Sequence, residues 1–257
     1  MRHRLTVGLL LAVLPAAAAR AEIKTSEIKI KSGDEEITAF VAEPAGKGPF
    51  PGIVVIQEWW GLNDWIRDNA RHLAEQGYVA VAPDLYRGKV TTERAVAKTL
   101  RIGLPKDRAI RDLKAAADYL AAKGNVDKNR LGSIGWCMGG QYSLLLALDD
   151  PRIKAAAIAY GALVTEAAAL KPLSAAVLGV FGEADMGIPP KQVKEFEAAL
   201  KAAGKTNEGL HIYSKAGHGF MRPAGAAGIE NPAYDEKAAK DAWAKIDAFF
   251  AKTLGGK

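Results

Sequence analysis

The chain alternates short, nearly continuous apolar runs with longer segments of helical periodicity. The run at 52–56 holds four consecutive β-branched residues, which is typical of a strand buried on both faces. The segment at 63–76 then places apolar residues at helical spacing, and Gly77 ends it. Parallel strands need crossover connections of this kind, so the alternation predicts an α/β fold. Its sheet is expected to be mainly parallel, with helices on both faces.

The same alternation continues to the C-terminus and locates the candidate site. After an antiparallel pair at 28–30 and 37–41, apolar strands are predicted at 52–56, 79–82, 130–136, 153–160, 175–181 and 210–213. Helices are predicted at 63–76, 92–102, 107–123, 140–148, 192–203 and 234–253. Active sites of such folds lie beyond the carboxyl ends of the strands. The residues that follow each strand are therefore the candidates for function.

The first 21 residues have the pattern of a secretory signal peptide. Two arginines precede an apolar run at 5–14, and an Ala-Arg-Ala sequence ends at Ala21. The apolar run is shorter than the ~20 residues that cross a bilayer, which argues against a stable membrane anchor. We therefore expect a signal peptide at 1–21, export to a periplasm, and one domain at 22–257.

Composition excludes several kinds of site. The predicted leader carries three arginines and no acid, so its removal lowers the formal net charge from +6 to +3, too little to indicate a nucleic-acid surface. The chain has one cysteine, which excludes an intrachain disulfide and any metal site built on two thiolates. The sequence has no metal-ligand cluster and no dinucleotide fingerprint, so we expect no metal and no cofactor.

That single cysteine, Cys137, lies between a predicted strand and a predicted helix, in the sequence GWCMGG at 135–140. A G-x-C-x-G sequence between a strand and a helix is the pattern of a nucleophile elbow, with cysteine in place of serine. Glycines let the backbones approach closely at such a turn, and a helix N-terminus favours the thiolate. A lone cysteine is more often a buried structural residue, but the glycine frame favours a nucleophile here.

Two carboxylates and one histidine follow later strands. Glu183 and Asp185 both come after the strand at 175–181, and a G-x-x-D pattern favours Asp185 as the acid of a triad. His218 stands between two glycines after the strand at 210–213, which is typical of a loop base rather than a core histidine. The order Cys137, Asp185, His218 is the nucleophile, acid and histidine order of α/β-hydrolases.

The segment QEWWG at 57–61 follows the first parallel strand. In this position a fold of this kind supplies one oxyanion-hole amide, and the residue after the nucleophile supplies the other. The predicted donors are the backbone amides of Trp59 and Met138. Glu58 is unexpected beside an oxyanion donor, and the adjacent tryptophans indicate that its carboxylate is shielded from solvent.

Together these motifs resemble the dienelactone hydrolase family, the carboxymethylenebutenolidase-like α/β-hydrolases. The resemblance covers nearly the whole expected mature chain. It rests on QEWWGLN at 57–63, APDLY at 82–86, GWCMGG at 135–140, GEAD at 182–185 and GHGF at 217–220. It implies an α/β-hydrolase fold and hydrolysis of a small lactone or ester through a Cys-His-Asp triad.

The resemblance also implies roles for individual residues. Cys137 attacks the carbonyl and forms a thioester, while His218 moves the proton and Asp185 orients the ring. Glu58 contacts the resting cysteine and helps to activate it when substrate arrives.

Substrates of the family carry a carboxylate that arginines hold. Arg222 matches one of these arginines, and Arg87 lies near the other, one residue earlier than in the family pattern. A bidentate arginine–carboxylate pair is the physical reason to expect an anionic substrate.

Two other functions stay open at this point. The first is a broad carboxylesterase or thioesterase on the same fold. The second is a non-enzymatic protein that uses Cys137 for ligand capture or redox sensing. For the enzyme we expect a monomer whose partner is a small-molecule ester or lactone.

Overall fold

The computed structural model describes residues 22–255. The predicted leader at 1–21 lies outside the described residues. Within 22–255, no helix has the length and apolar composition of a membrane span.

Eight strands and seven α-helices make up the described chain. The strands are β1 Ile23–Ser32, β2 Glu35–Pro44, β3 Phe50–Ile56, β4 Val79–Pro83, β5 Val126–Trp136, β6 Ile153–Ala159, β7 Ala176–Gly182 and β8 Asn207–Tyr213. The helices are α1 Asp64–Glu75, α2 Arg94–Ile102, α3 Lys106–Ala122, α4 Met138–Asp149, α5 Ala167–Leu170, α6 Pro190–Ala202 and α7 Glu236–Leu254.

All eight strands form one sheet in the order β1-β2-β4-β3-β5-β6-β7-β8. β2 runs antiparallel to both β1 and β4, and the pairs from β4 through β3 to β8 are all parallel. The prediction of a mainly parallel sheet is confirmed. Because the parallel strands share one direction, the segments after β3, β5, β7 and β8 meet at one edge of the sheet.

The apolar strands bury side chains on both faces of the sheet. In β3, Val54 and Ile56 pack on the face covered by α3, α4 and α6, while Ile53 and Val55 pack on the face covered by α1 and α7. Alternate residues of a strand point to opposite faces, so a continuous β-branched run fills two cores at once. This rigid central layer positions the site at its carboxyl edge.

Several strands begin before their predicted starts, and one helix was not predicted. β1 begins at Ile23 rather than at 28, and β8 begins at Asn207 rather than at 210. β5 begins at Val126, four residues before the predicted start at 130, because Val126 pairs with Phe50 across a bulge. Three of the four added residues are polar, and two of them are exposed, so apolar periodicity did not indicate them. The short helix α5 was not predicted because its four residues are too few to show a helical period.

Candidate active site

Cys137 lies at the sharp turn between β5 and α4. It caps α4 with φ 55 and ψ −118, a region that side-chain-bearing residues rarely occupy and that often marks a functional turn. The flanking glycines leave no room for side chains. A Cβ on Gly139 would lie 2.2 Å from the carbonyl oxygen of Ile56, and one on Gly135 would lie 2.2 Å from that of Gly139. The elbow therefore needs glycine at both positions.

Replacing Gly139 with alanine is expected to destabilise the protein by about 1–3 kcal/mol, because β3 must move away from the elbow. Urea unfolding of G139A and of the wild type measures this difference. Gly124→Ala is the matched control, since a Cβ there meets no atom within 4 Å. Equal free energies of unfolding for G139A and G124A would show that the elbow tolerates a side chain.

Asp185 is the carboxylate that pairs with the histidine. It is buried, its Oδ1 accepts from the backbone N–H groups of Gly187 at 2.8 Å and Ile188 at 3.1 Å, and its Oδ2 lies 2.7 Å from Nδ1 of His218. Burial raises the pKa of Asp185, but the bond to His218 and the backbone donors outweigh it, so the pKa is lowered. An ionised acceptor thus faces the ring nitrogen.

The alternative acid, Glu183, faces another way. Its Oε2 accepts from the hydroxyl of Ser214 at 2.9 Å and from the backbone N–H of Lys215 at 3.1 Å. The side chain is exposed and lines neither cavity beside Cys137. The structure therefore places Asp185, and not Glu183, next to the histidine.

The ring of His218 lies between Asp185 and Cys137. Burial lowers its pKa, but the hydrogen bond to Asp185 and the adjacent thiol outweigh burial and raise the pKa to about 10. Tyr160 packs edge-on against the ring, with centroids 5.2 Å apart. The three side chains that the sequence predicts as a triad thus come together.

Met138 directly follows Cys137, and Trp59 shares a cavity with it. Their role as oxyanion-hole donors stays a prediction. Met138 is the first residue of α4, so its backbone N–H has no acceptor within the helix. The hydroxyl of Tyr86 donates to the Met138 sulfur at 3.3 Å. Trp59 lies beyond the end of β3 and lines a cavity together with Cys137.

Glu58 and Arg222 form a buried ion pair beside this cavity. Their exposed fractions are 2% and 5%, and Nε of Arg222 donates to Oε2 of Glu58 at 3.0 Å. Burial raises the pKa of Glu58, although Arg222 and His218 oppose it. The guanidinium of Arg222 thus gives this buried carboxylate a cationic partner. The contact of Glu58 with the resting cysteine stays a prediction.

Two cavities meet at Cys137 and His218, and both are also lined by Arg101 and Ala233. The smaller cavity, of about 310 Å³, extends past Glu58, Trp59, Trp60, Arg94 and Arg222. The larger cavity, of about 570 Å³, extends past Met138, Gln141, Tyr160, Met186 and Ile188. Within 22–255, no three histidine, cysteine or acidic side chains group as metal ligands.

Comparison with known proteins decides the family. A family model described as the dienelactone hydrolase family matches residues 37–254. The chain belongs to the dienelactone hydrolase family. It is therefore a hydrolase of α/β-hydrolase fold that acts on lactones or esters.

Individual relatives agree with this assignment. A Methylorubrum extorquens protein named "Putative carboxymethylenebutenolidase" is 37% identical over 96% of this chain and 89% of its own length. The solved structure of a "Putative Dienelactone Hydrolase" from Klebsiella pneumoniae is 34% identical with a TM-score of 0.80, covering 90% of this chain and 99% of that chain. A dienelactone hydrolase-like promiscuous phosphotriesterase from metagenomic libraries is 27% identical with a TM-score of 0.80, covering 91% and 99%.

One arginine expected from the family resemblance lies away from the site. The guanidinium of Arg87 binds Asp112 at 2.7 Å and Glu35 at 2.6 Å, and it lines neither cavity beside Cys137. Arg87 thus binds these two carboxylates, and its contact with substrate stays a prediction. The physical reason for this pairing is the fully buried Asp112, which requires a cation close by.

Three residues of this dienelactone hydrolase site were missed by the sequence analysis. Tyr160 directly follows β6 and has a φ angle of 38°. The sequence did not indicate this backbone angle. Arg94 and Arg101 belong to α2, and their seven-residue spacing was the available signal, because it places two cations on one helix face.

Proposed function

We propose that this chain hydrolyses a small, carboxylate-bearing ester or lactone through a Cys-His-Asp triad and a thioester intermediate. The observation that carries the proposal is the arrangement around the elbow. Cys137 shares two cavities with His218, whose Nδ1 lies 2.7 Å from the buried carboxylate of Asp185. This leaves Nε2 of His218 to exchange a proton with the thiol and the substrate.

In the proposed acylation, Sγ of Cys137 attacks the carbonyl carbon and its proton passes to His218. The backbone amides of Met138 and Trp59 receive the negative charge that forms on the carbonyl oxygen. The carbon–oxygen bond then breaks, and the protonated ring gives its proton to the leaving alkoxide. The carboxylate of Asp185 on Nδ1 favours the protonated ring and stabilises it until that transfer.

In the proposed deacylation, a water molecule replaces the alcohol. His218 takes a proton from the water, and the hydroxide attacks the thioester carbon. The carbon–sulfur bond breaks, the carboxylic acid leaves, and the proton returns to Cys137. For a lactone, the alcohol and the acid are two ends of one product.

The pair of Glu58 and Arg222 supports an anionic substrate. A carboxylate that enters the smaller cavity competes with Glu58 for the single guanidinium of Arg222. Because burial raises the pKa of Glu58, a carboxylate released from its partner readily takes up a proton. We propose that this exchange lets Glu58 assist in deprotonating Cys137 when substrate arrives.

Trapping of the acyl-enzyme tests the proposal. The protein is mixed with mono-4-nitrophenyl glutarate, quenched in acid and analysed by peptide mass spectrometry. We expect a glutaryl adduct on the peptide of Cys137, and we expect neutral hydroxylamine to remove it, as it does a thioester. An adduct on another residue, or steady turnover without an adduct on Cys137, would contradict the thioester mechanism.

The same assay separates the competing functions. 4-Nitrophenyl valerate has the same acyl length as the glutarate ester but no carboxylate. Equal kcat/KM for the two esters would favour a broad carboxylesterase. Adduct formation without turnover on either ester would favour a thiol-based ligand-binding or sensing protein.

We also propose that the chain is exported. The support is the sequence pattern of 1–21, in which a basic start, an apolar run and an Ala-Arg-Ala end follow one another.

A further inference from the structure

The two cavities beside Cys137 differ in charge. In the smaller one, Glu58 and Arg222 neutralise each other through their ion pair. Two more cations, Arg94 and Arg101, line the same cavity. In the part of the chain that the structure describes, no ion pair or side-chain hydrogen bond accounts for either guanidinium. The smaller cavity thus carries an excess of two positive charges with no protein counterion.

Both arginines come from α2 and lie on the face of that helix that borders the cavity. A spacing of seven residues corresponds to two helical turns, or about 10.5 Å along the axis. Ala97, between them, is fully buried and packs in a small cluster with Trp60 and Ile229. The packing of Ala97 against Trp60 therefore orients α2. It places the helix face that bears both arginines next to Trp59 and Trp60.

Arg101 is the more central of the two arginines. It lines both cavities, so it borders the point where they meet at Cys137. Because its side chain is exposed, it can meet an anion before the anion reaches the buried Arg222.

We propose that α2 is the selectivity element of this site, with Arg101 binding the carboxylate of the substrate and Arg94 adding attraction along the same face. The inference rests on the proposed function and adds to Arg222 a second anion-binding position, which lies outside the family motifs. Arg87 is bound to Asp112 and Glu35 and does not line the cavity. Arg101 supplies a second cation there instead. A guanidinium suits this role because it can hold a carboxylate through two hydrogen bonds.

A selectivity ratio tests the proposal. The ratio is kcat/KM for mono-4-nitrophenyl glutarate divided by kcat/KM for 4-nitrophenyl valerate. We expect R101Q to lower it about 10-fold, as expected for the loss of one charge-assisted contact, and R94Q to lower it less. Lys98→Gln is the matched control, because Lys98 is a cation of the same helix that lines neither cavity. The K98Q ratio is expected to stay within about twofold of the wild type.

Binding of glutarate itself, measured by isothermal titration calorimetry, keeps the inference separate from turnover. We expect R101Q to weaken glutarate binding about 10-fold and K98Q to leave it unchanged. An unchanged selectivity ratio in R101Q, equal losses in R101Q and K98Q, or no glutarate binding by the wild type would overturn the role of α2. Absence of a Cys137 adduct alongside intact, Arg101-dependent glutarate binding would instead overturn the proposed function alone.

Discussion

Replacing Cys137 with alanine is expected to lower kcat for mono-4-nitrophenyl glutarate by about 10³-fold or more. The thiol is the group that forms the covalent bond to the acyl carbon in the proposed mechanism, and alanine cannot replace it. Stopped-flow and steady-state release of 4-nitrophenolate measure the loss. Thermal unfolding of C137A checks that the fold is retained, since Cys137 is only partly buried.

The single cysteine of the chain gives this experiment a chemical control. Iodoacetamide should add one carbamidomethyl group to the wild type, abolish turnover in step with the labelling, and leave C137A unlabelled. If C137A keeps more than about one tenth of the wild-type kcat, too much for loss of a nucleophile, then another group attacks the ester. The thioester mechanism would then be wrong.

Replacing Asp185 with asparagine is expected to lower kcat by about 10²–10⁴-fold. The asparagine NH₂ group would face Nδ1 of His218 and favour the tautomer with its proton on Nε2. That tautomer cannot take the proton of Cys137. Loss of the carboxylate also removes a cause of the raised pKa of His218, which is about 10 in the wild type. We therefore expect the imidazolium signals of His218 in NMR spectra to titrate at a lower pH in D185N.

Glu183→Gln is the matched control for that variant. It removes the other carboxylate that follows β7, whose partners are Ser214 and Lys215 rather than the histidine. We expect kcat of E183Q to stay within about twofold of the wild type, as for most exposed substitutions. A larger loss in E183Q than in D185N would assign the acid of the triad to Glu183.

The backbone around the site could be predicted from the sequence. The β-branched run of β3 and the glycines of the elbow are local requirements, set by burial on both faces of a sheet and by contacts too close for a Cβ. Such requirements select residue types at particular positions, so the α/β fold and the turn that carries Cys137 could be predicted without coordinates. The family resemblance rests on these same segments, and the family assignment is confirmed.

The side-chain partners could only be decided by the tertiary structure. A G-x-x-D pattern favoured Asp185 over Glu183, but only the structure shows that Asp185 faces His218 while Glu183 binds Ser214. Arg87 and Arg101 both lie between β4 and β5 in the chain. Arg87 binds the buried Asp112, whereas Arg101 borders both cavities. These outcomes depend on which charges meet across distant segments and how deeply they are buried. The sequence of this protein thus determined where its backbone turns, while long-range packing decided which charges face the cysteine.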